Sequence, residues 1–449
     1  MKRWNYCLLV LTCLLVVPAA AQNNALNLRQ CVDMAVGNNL QILQGQANVA
    51  TNEFAVQQSR LSLFPNLNFS GSYFFSYGRG LDYVTNTFVG QNFQSNNYSL
   101  SSNLGLYNGG VKAHSIKKAG YDLEMAKLDQ QALIENIQLN TILAFLQVMF
   151  AEDQIRVTEN RLAISQQQLN DSEKLAAAGS IPEGNLLALE AQLASDELEI
   201  VNARNQVAVA YLQLKNLLQL DPAAPLSISY PGQDLLQEVL NARMPELNAT
   251  IDAAISNLPG IQRFEYLLKS AESQVKIAGG YGLPSLTLVG QLNTSYSDAD
   301  IGLPGFEALP YTDQLENNLG EVVGLTLSIP IFNNGQVAIN KQNASLAYMN
   351  AELEQQIAIN NLKTTVTDAW TGLQAASLTY QAALRNLEAN RNAFDFAEKR
   401  FNAGAASALD FVTARNNLAS AEISLNQAKF DYIFKRKVID YYLGLPIEF

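Results

Sequence analysis

The chain repeats itself at an offset of 219 to 225 residues, and that duplication limits its architecture more than any other feature. "FPNLNFSG" from Phe64 matches "LPSLTLVG" from Leu283 at 219. "LYNGG" at 106–110 matches "IFNNG" at 331–335, "AAAGS" at 176–180 matches "FNAGA" at 401–405, and "LASDE" at 193–197 matches "LASAE" at 418–422, all at 225. The units run over 22–220 and 252–445, joined by a linker at 221–251 and followed by a tail at 446–449. Each predicts the same order: a helix (28–62; 252–280), two strands (about 66–78 and 95–107; 285–297 and 322–333), a very long helix (110–178; 336–403), a break, and another helix (182–219; 407–443).

The long helices are far longer than those of ordinary globular domains. At ~1.5 Å per residue, 69 residues reach about 100 Å. Val148, Ile155, Leu162 and Leu169 recur at heptad spacing, as do Leu373, Tyr380, Leu387 and Phe394, which predicts a coiled-coil seam. The shorter helices of each unit sum to about the length of the long one, so two of them stacked end to end match it along its whole length. At the breaks, Gly179 and Gly404 stand where a left-handed C-terminal cap belongs. Ser180 with Glu183 and Ser407 with Asp410 have capping-box spacing, and Pro182 is tolerated in a first helical turn.

The strands constrain the surroundings. Leu67, Phe69, Gly71, Tyr73, Phe75 and Tyr77 alternate with Asn66, Asn68, Ser70, Ser72 and Ser76, with Phe74 the exception. Tyr98, Leu100, Leu104 and Leu106 alternate with Ser99, Ser101, Asn103 and Gly105. Leu286, Leu288, Leu292 and Tyr296 oppose Ser285, Thr287, Gln291, Asn293 and Ser295, and Val323, Leu325, Leu327, Ile329 and Ile331 oppose Gly324, Thr326 and Ser328. None of the four predicted segments holds a charged residue, and each has the ~9–11 residues of a tilted outer-membrane strand with an apolar outside and a polar lumen. A soluble sheet packed on helices explains the alternation but not the missing charge. Four strands cannot close around a pore, and a membrane barrel must close, so several chains contribute. Two copies give eight strands and a filled interior; three give twelve and a channel, the favoured arrangement. The reading is a mixed α/β membrane protein: a trimeric twelve-stranded outer-membrane β-barrel, four strands per chain, continued by a long α-helical periplasmic barrel. The loops at about 79–94 and 298–320 then lie beyond the barrel, facing outside.

Composition excludes other classes. Net charge is −12 and there is one histidine, His114, so nucleic-acid binding is disfavoured and no zinc set, cofactor motif or catalytic constellation is expected. Lys2 and Arg3, the apolar run "CLLVLTCLLVV" and Ala19-Ala20-Ala21 predict a signal peptide over 1–21. Its removal leaves Cys31 as the one cysteine, expected to pack rather than react. No stretch of eighteen apolar residues follows residue 22, so no membrane-spanning helix is expected.

With both repeats, both strand pairs and the paired motifs "KLAAAGSIPEGNLLALEAQL" (174–193) and "KRFNAGAASALDFVTARNNL" (399–418), the chain resembles outer-membrane efflux proteins of the TolC family. The resemblance implies a homotrimer in outer-membrane lipid, with a periplasmic tunnel docked onto a periplasmic adaptor protein and an inner-membrane pump. It implies a passive exit duct for drugs, metals or polypeptides, not an enzyme. A stand-alone diffusion channel and a non-conducting envelope-spanning structural protein are the alternatives. In that family two inward aspartates, three residues apart, narrow the closed tunnel entrance and favour cations. Asp410 matches the first and Thr413 stands at the second, so the resemblance implies one acidic ring; Asn185 is the counterpart in the first repeat. Ala406 stands where the family's latching arginine would be. The adaptor-docking tips are expected at Gly179, Ser180, Ile181 and Pro182, and at Gly404, Ala405, Ala406 and Ser407.

Overall fold

The computed structural model describes residues 25–82, 86–89, 92–179, 181–230, 237, 239–240, 242–299, 309–403 and 405–445. The expected signal peptide and tail, and the tip residues Ser180 and Gly404, lie outside the described residues.

Each expected leading helix is two. The first unit opens with α1 (Leu28–Asn38) and α2 (Leu40–Leu61), the second with α5 (Leu247–Asn257) and α6 (Pro259–Gly280). The breaks fall at Asn39 and Leu258, 219 residues apart and both extended. Asn39 accepts from the Gln41 amide and so caps the new start of α2, whereas Pro259 opens α6 with a residue that has no amide to satisfy. Because α5 starts at Leu247, it also takes up the end of the segment expected as linker. Described residues at or beside that segment touch both units. Leu26 forms a parallel bridge with Ile228, the Tyr230 hydroxyl donates to the Met149 carbonyl at 3.2 Å, and the Trp370 indole donates to the Pro245 carbonyl at 2.8 Å.

Between the short and long helices lies one antiparallel sheet of β1 (Asn68–Ser76), β4 (Phe93–Asn108), β5 (Ser285–Ser297) and β6 (Gly320–Ser328), in the order β1-β4-β5-β6. Its centre is a pairing between repeats, with Leu100 opposite Leu292 and Leu104 opposite Leu288. β6 ends at Ser328 rather than near 333, because Pro330 has no amide to continue the ladder. It also begins earlier and so includes Glu321, a charge at the end far from the long helices, opposite Leu292.

The two connecting loops differ. In the first, β2 (Gly80–Asp82) and β3 (Thr87–Val89) form a separate small hairpin. In the second, α7 (Tyr311–Asn317) does not extend beyond the sheet as the sequence predicted. It folds back onto β5: the Tyr311 ring lies 4.7 Å from that of Tyr296, its hydroxyl is 2.9 Å from that of Tyr98, and buried Gln314 donates to the Ser297 carbonyl.

The long helices are α3 (Val111–Ala177) and α8 (Gln336–Asn402), each 67 residues. Both start after a glycine in the left-handed region, Gly110 (φ 79°) and Gly335 (φ 76°). Beside the first, Gly109 lies so close to the Gly280 carbonyl that any Cβ there would sit 2.2 Å from its oxygen. α3 pairs with α4 (Glu183–Leu217), and α8 with α9 (Ala408–Tyr442). In the half near the sheet the lateral order is α2-α3-α6-α8; in the far half it is α4-α3-α9-α8. Two shorter helices thus accompany each long one.

The main core lies along α3, where Ile142, Phe145, Val148 and Met149 are completely buried with Cys31, Leu214 and Ile433. α3 also contains an eighteen-residue window apolar enough by composition to cross a bilayer. The apolar side chains of α3 account for this by packing into the core of the protomer.

Candidate channel wall and periplasmic tips

Strand register assigns every sheet residue to a face. Phe69, Tyr73, Leu100, Leu104, Leu286, Leu288, Leu292, Val323, Leu325 and Leu327 share one face; Asn68, Ser70, Ser99, Ser101, Thr287, Gln291, Asn293 and Thr326 share the other. On the edge strands the apolar face is bare, with Phe69 70% exposed and Val323 81%, while α7 covers its Tyr98–Tyr296 end. Aromatic rings border it at both ends, with Tyr73, Phe75 and Tyr77 far from the helices and Phe64, Tyr281 and Phe332 near them. Phe74 departs from the pattern, exposed on the polar face. β1 and β6 are open edges. Three antiparallel pairings make them antiparallel to each other, so β6 of one copy can continue the ladder with β1 of the next.

The helices have unpartnered flanks too. On α8, Ile339, Leu346, Leu353 and Ile357 form one exposed apolar row; on α4, at the opposite flank, Leu187, Leu198, Val201, Val209 and Leu212 form another. Apolar rows on two different flanks are what a head-to-tail ring of identical copies requires.

The tips are unequal. Gly179 is left-handed at φ 70°, and α4 is capped by Pro182 with no side-chain bond, so Glu183 is its first residue and cannot complete the expected box with Ser180. At the second tip the box is complete. The Asp410 amide donates to Ser407 Oγ at 3.1 Å, and the Ser407 amide donates to Asp410 Oδ2 at 3.2 Å. Asp410 and Thr413 are exposed one turn apart, and Gly179, Pro182, Ala405 and Ser407 are exposed as well; Ile181 and Ala406 are half-buried. The Arg400 guanidinium donates to the Ala405 carbonyl at 2.9 Å.

Two clusters near the tips were not anticipated from the sequence. Phe411, adjacent to Asp410, is buried between Phe401 and Phe394, with ring centroids 5.0 and 5.7 Å away. Further along, Asp196 is fully buried between two arginines. It accepts from Arg161 Nε at 2.7 Å, from Gln192 at 2.9 Å and from Ser165, and pairs with Arg415 Nη2 at 3.3 Å. Arg415 also donates to the Arg161 carbonyl, tying α9 to α3 and α4. Burial, and the neighbouring Arg161, weaken the hold of Arg415 on its proton, while Asp196 strengthens it. A sequence signal did exist: "LASDE" and "LASAE" differ at this aspartate, so Asp196 corresponds to Ala421.

A sheet whose one charge is Glu321 at its far end, with an apolar outside, a polar inside and open edges, continued by helices of about 100 Å, defines an outer-membrane channel protein. The model of the Outer membrane efflux protein family matches residues 31–219 and 250–444, and the chain belongs to that family. It is 23% identical to Outer membrane protein TolC of Escherichia coli (strain K12) over 429 residues, 94% of this chain and 83% of that protein. Its fold is that of the Vibrio cholerae outer membrane protein VceC, with a TM-score of 0.76 at 16% identity over 94% of this chain and 97% of that one. It is also that of the Neisseria gonorrhoeae MtrE outer membrane channel in its open state, with a TM-score of 0.75 at 18% identity over 94% and 89%. The protein is an outer-membrane efflux channel with a long periplasmic helical extension. Among the described residues no group of acidic, histidine and cysteine side chains is arranged to hold a metal ion.

Proposed function

We propose that three copies form a passive exit duct that receives cargo from a periplasmic adaptor and an inner-membrane pump. The observation that carries this reading is the sheet with two open, mutually antiparallel edges, joined to helices with unpartnered apolar rows on opposite flanks. Four strands bury neither their edges nor their polar face, and a ring of three satisfies both by making a twelve-stranded barrel. In the ring the row on α8 packs against the neighbour's α2, the row on α4 packs against the far half of another neighbour's α8, and the helices continue the pore. Relatives in other bacteria bear the names Toxin and drug export protein A and Outer membrane efflux protein BepC, which supports an exit role without naming a cargo.

The entrance of the duct is the end holding both tips. Asp410 and Thr413 project from the first turns of α9, and three Asp410 carboxylates around one axis form an acidic ring that attracts cations. Gly179, Ile181 and Pro182 at the first tip, and Ala405, Ala406 and Ser407 at the second, offer the surfaces on which adaptor hairpins dock. The capping box and the ring do not compete, because the box uses Oδ2 of Asp410 and leaves Oδ1 for the pore.

Single-channel recording of the purified protein in lipid bilayers, with its mass measured in detergent, tests the reading. A trimer with small, cation-selective conductance that rises in Asp410→Ala is expected. Free conductance unchanged by the substitution would move the constriction elsewhere and favour a stand-alone diffusion channel. No conductance from a folded trimer would leave a structural envelope protein.

A further inference from the structure

A groove on the helical wall has the composition of a ligand site. It lies between α3 and α8 with α9 as its floor, and its cavity is about 590 Å³, within the range of small-molecule pockets. Val157, Ile164, Leu387, Phe394, Leu418 and Leu425 supply an apolar lining. At one end stands Arg415, whose side chain is only 6% exposed. Its Nη2 is used by Asp196 and the Arg161 carbonyl, but its Nη1 is buried without a partner. Two guanidinium groups share the single carboxylate of Asp196, so the cluster is buried with an excess of one positive charge. Such a group is costly until an anion meets it.

The groove's own acid does not serve as that anion. Glu422 lies on the floor, but its cationic neighbour is Arg391, and burial raises its proton affinity. Lys429, also on the wall, is already paired with Asp153. Asn426, eleven residues beyond Arg415 on the same side of α9, has a second buried donor, Nδ2, without a partner. Eleven helical residues set the two positions about 16 Å apart along α9, with Leu418 and Leu425 between them.

We propose that this groove binds an elongated amphiphile with a carboxylate at one end and a hydroxyl or carbonyl at the other. The carboxylate accepts from Arg415 Nη1, the apolar body lies over Ile164, Leu418 and Leu425, and the far oxygen accepts from Asn426 Nδ2. The site stands on the wall of one protomer and holds whether or not the trimer conducts; its test therefore reads binding, and conductance tests the duct separately.

The probe is 12-hydroxydodecanoate, titrated calorimetrically into the full mature protein held in an amphipathic polymer, beside dodecane-1,12-diol and inorganic phosphate. Saturable binding of the hydroxy acid is expected, with little from the diol or from phosphate. Arg415→Gln, which leaves Asp196 paired with Arg161, weakens binding by about tenfold or more, as loss of a hydrogen bond to a charged group does. Asn426→Leu weakens it less, and Ile164→Trp, which fills the groove without touching a charge, abolishes it. Equal binding of the diol, equal binding of phosphate, no saturable binding, or indifference to Asn426→Leu and Ile164→Trp would each overturn the proposal. The last two variants keep the test decisive if Arg415→Gln does not fold.

Discussion

The two repeats share one order of elements and use it oppositely. α3 lies in the interior of the protomer, with α2 and α4 on one side and α6 and α9 on the other, and buries Ile142, Phe145, Val148 and Met149. α8 is the same length and begins at the equivalent glycine, yet it forms one flank of the protomer and leaves Ile339, Leu346, Leu353 and Ile357 in the open. Duplication thus supplies two interchangeable long helices, and position in the lateral order makes one a core and the other an interface. Some positions kept their role: Ala35 and Ala254, 219 apart, are both fully buried. Others changed chemistry in place. Fully buried Cys31 is matched by Thr250, whose hydroxyl donates to the Glu246 carbonyl, and Asp196 is matched by buried Ala421.

The largest expected effect tests the division into core and interface. Leu353→Glu with Ile357→Glu, on the exposed row of α8, converts the trimer to monomer while helical circular dichroism is retained; a trimer that survives in light-scattering measurements breaks the assignment of that flank. The corresponding change in the core, Phe145→Ala, lowers protomer stability by about 3–5 kcal/mol through lost burial and a cavity, read from denaturant unfolding.

The charged cluster sharpens the same comparison. Asp196→Ala leaves Arg161 and Arg415 buried without their carboxylate and costs about 3–5 kcal/mol. Replacing all three groups together with apolar residues recovers most of that loss, because the penalty comes from the stranded charges. Ala421→Asp, which places the first repeat's carboxylate in the second repeat, also destabilises, since Asn386 and Asn390 stand where Arg161 and Ser165 would be.

At the tips the asymmetry is smaller. Ser407→Ala removes one half of the capping box and costs about 1 kcal/mol, whereas Pro182→Ala removes no side-chain hydrogen bond and changes stability less. Thermal unfolding of the two variants side by side checks the ranking. The smallest effect concerns Cys31, whose thiol burial pushes up to about 11. It is thiolate-poor at neutral pH and closed to solvent, so a thiol reagent labels it only after denaturation; rapid labelling of the native protein would show that α1 opens from α3.

How much of this was legible in the sequence depended on the range of the signal. Alternation in the strands and heptads in the helices are local patterns that one chain displays along its own length, so the sheet faces and long helices were readable. The Ser407–Asp410 cap was readable for the same reason. The break at Asn39 was missed because an amphipathic pattern continues through it, although Asn followed by Leu carries a capping signal. The return of α7 onto β5 was missed because it depends on Tyr98, Tyr296 and Tyr311, brought together from separate parts of the chain. The aromatic cluster around Phe411 and the Asp196 cluster were missed likewise. Each residue alone reads as an ordinary member of an amphipathic helix.

By itself, the sequence determined that this chain is a duplicated unit of alternating apolar and polar strands and very long helices, because periodicity and turn chemistry act within a few residues. Only the tertiary structure decided which long helix is enclosed, which flank awaits another copy, and where Arg415 meets Asp196 across 219 residues of chain. Those outcomes come from the lateral order of the helices, which is set by the burial of apolar faces summed over the whole protomer and which no local pattern encodes.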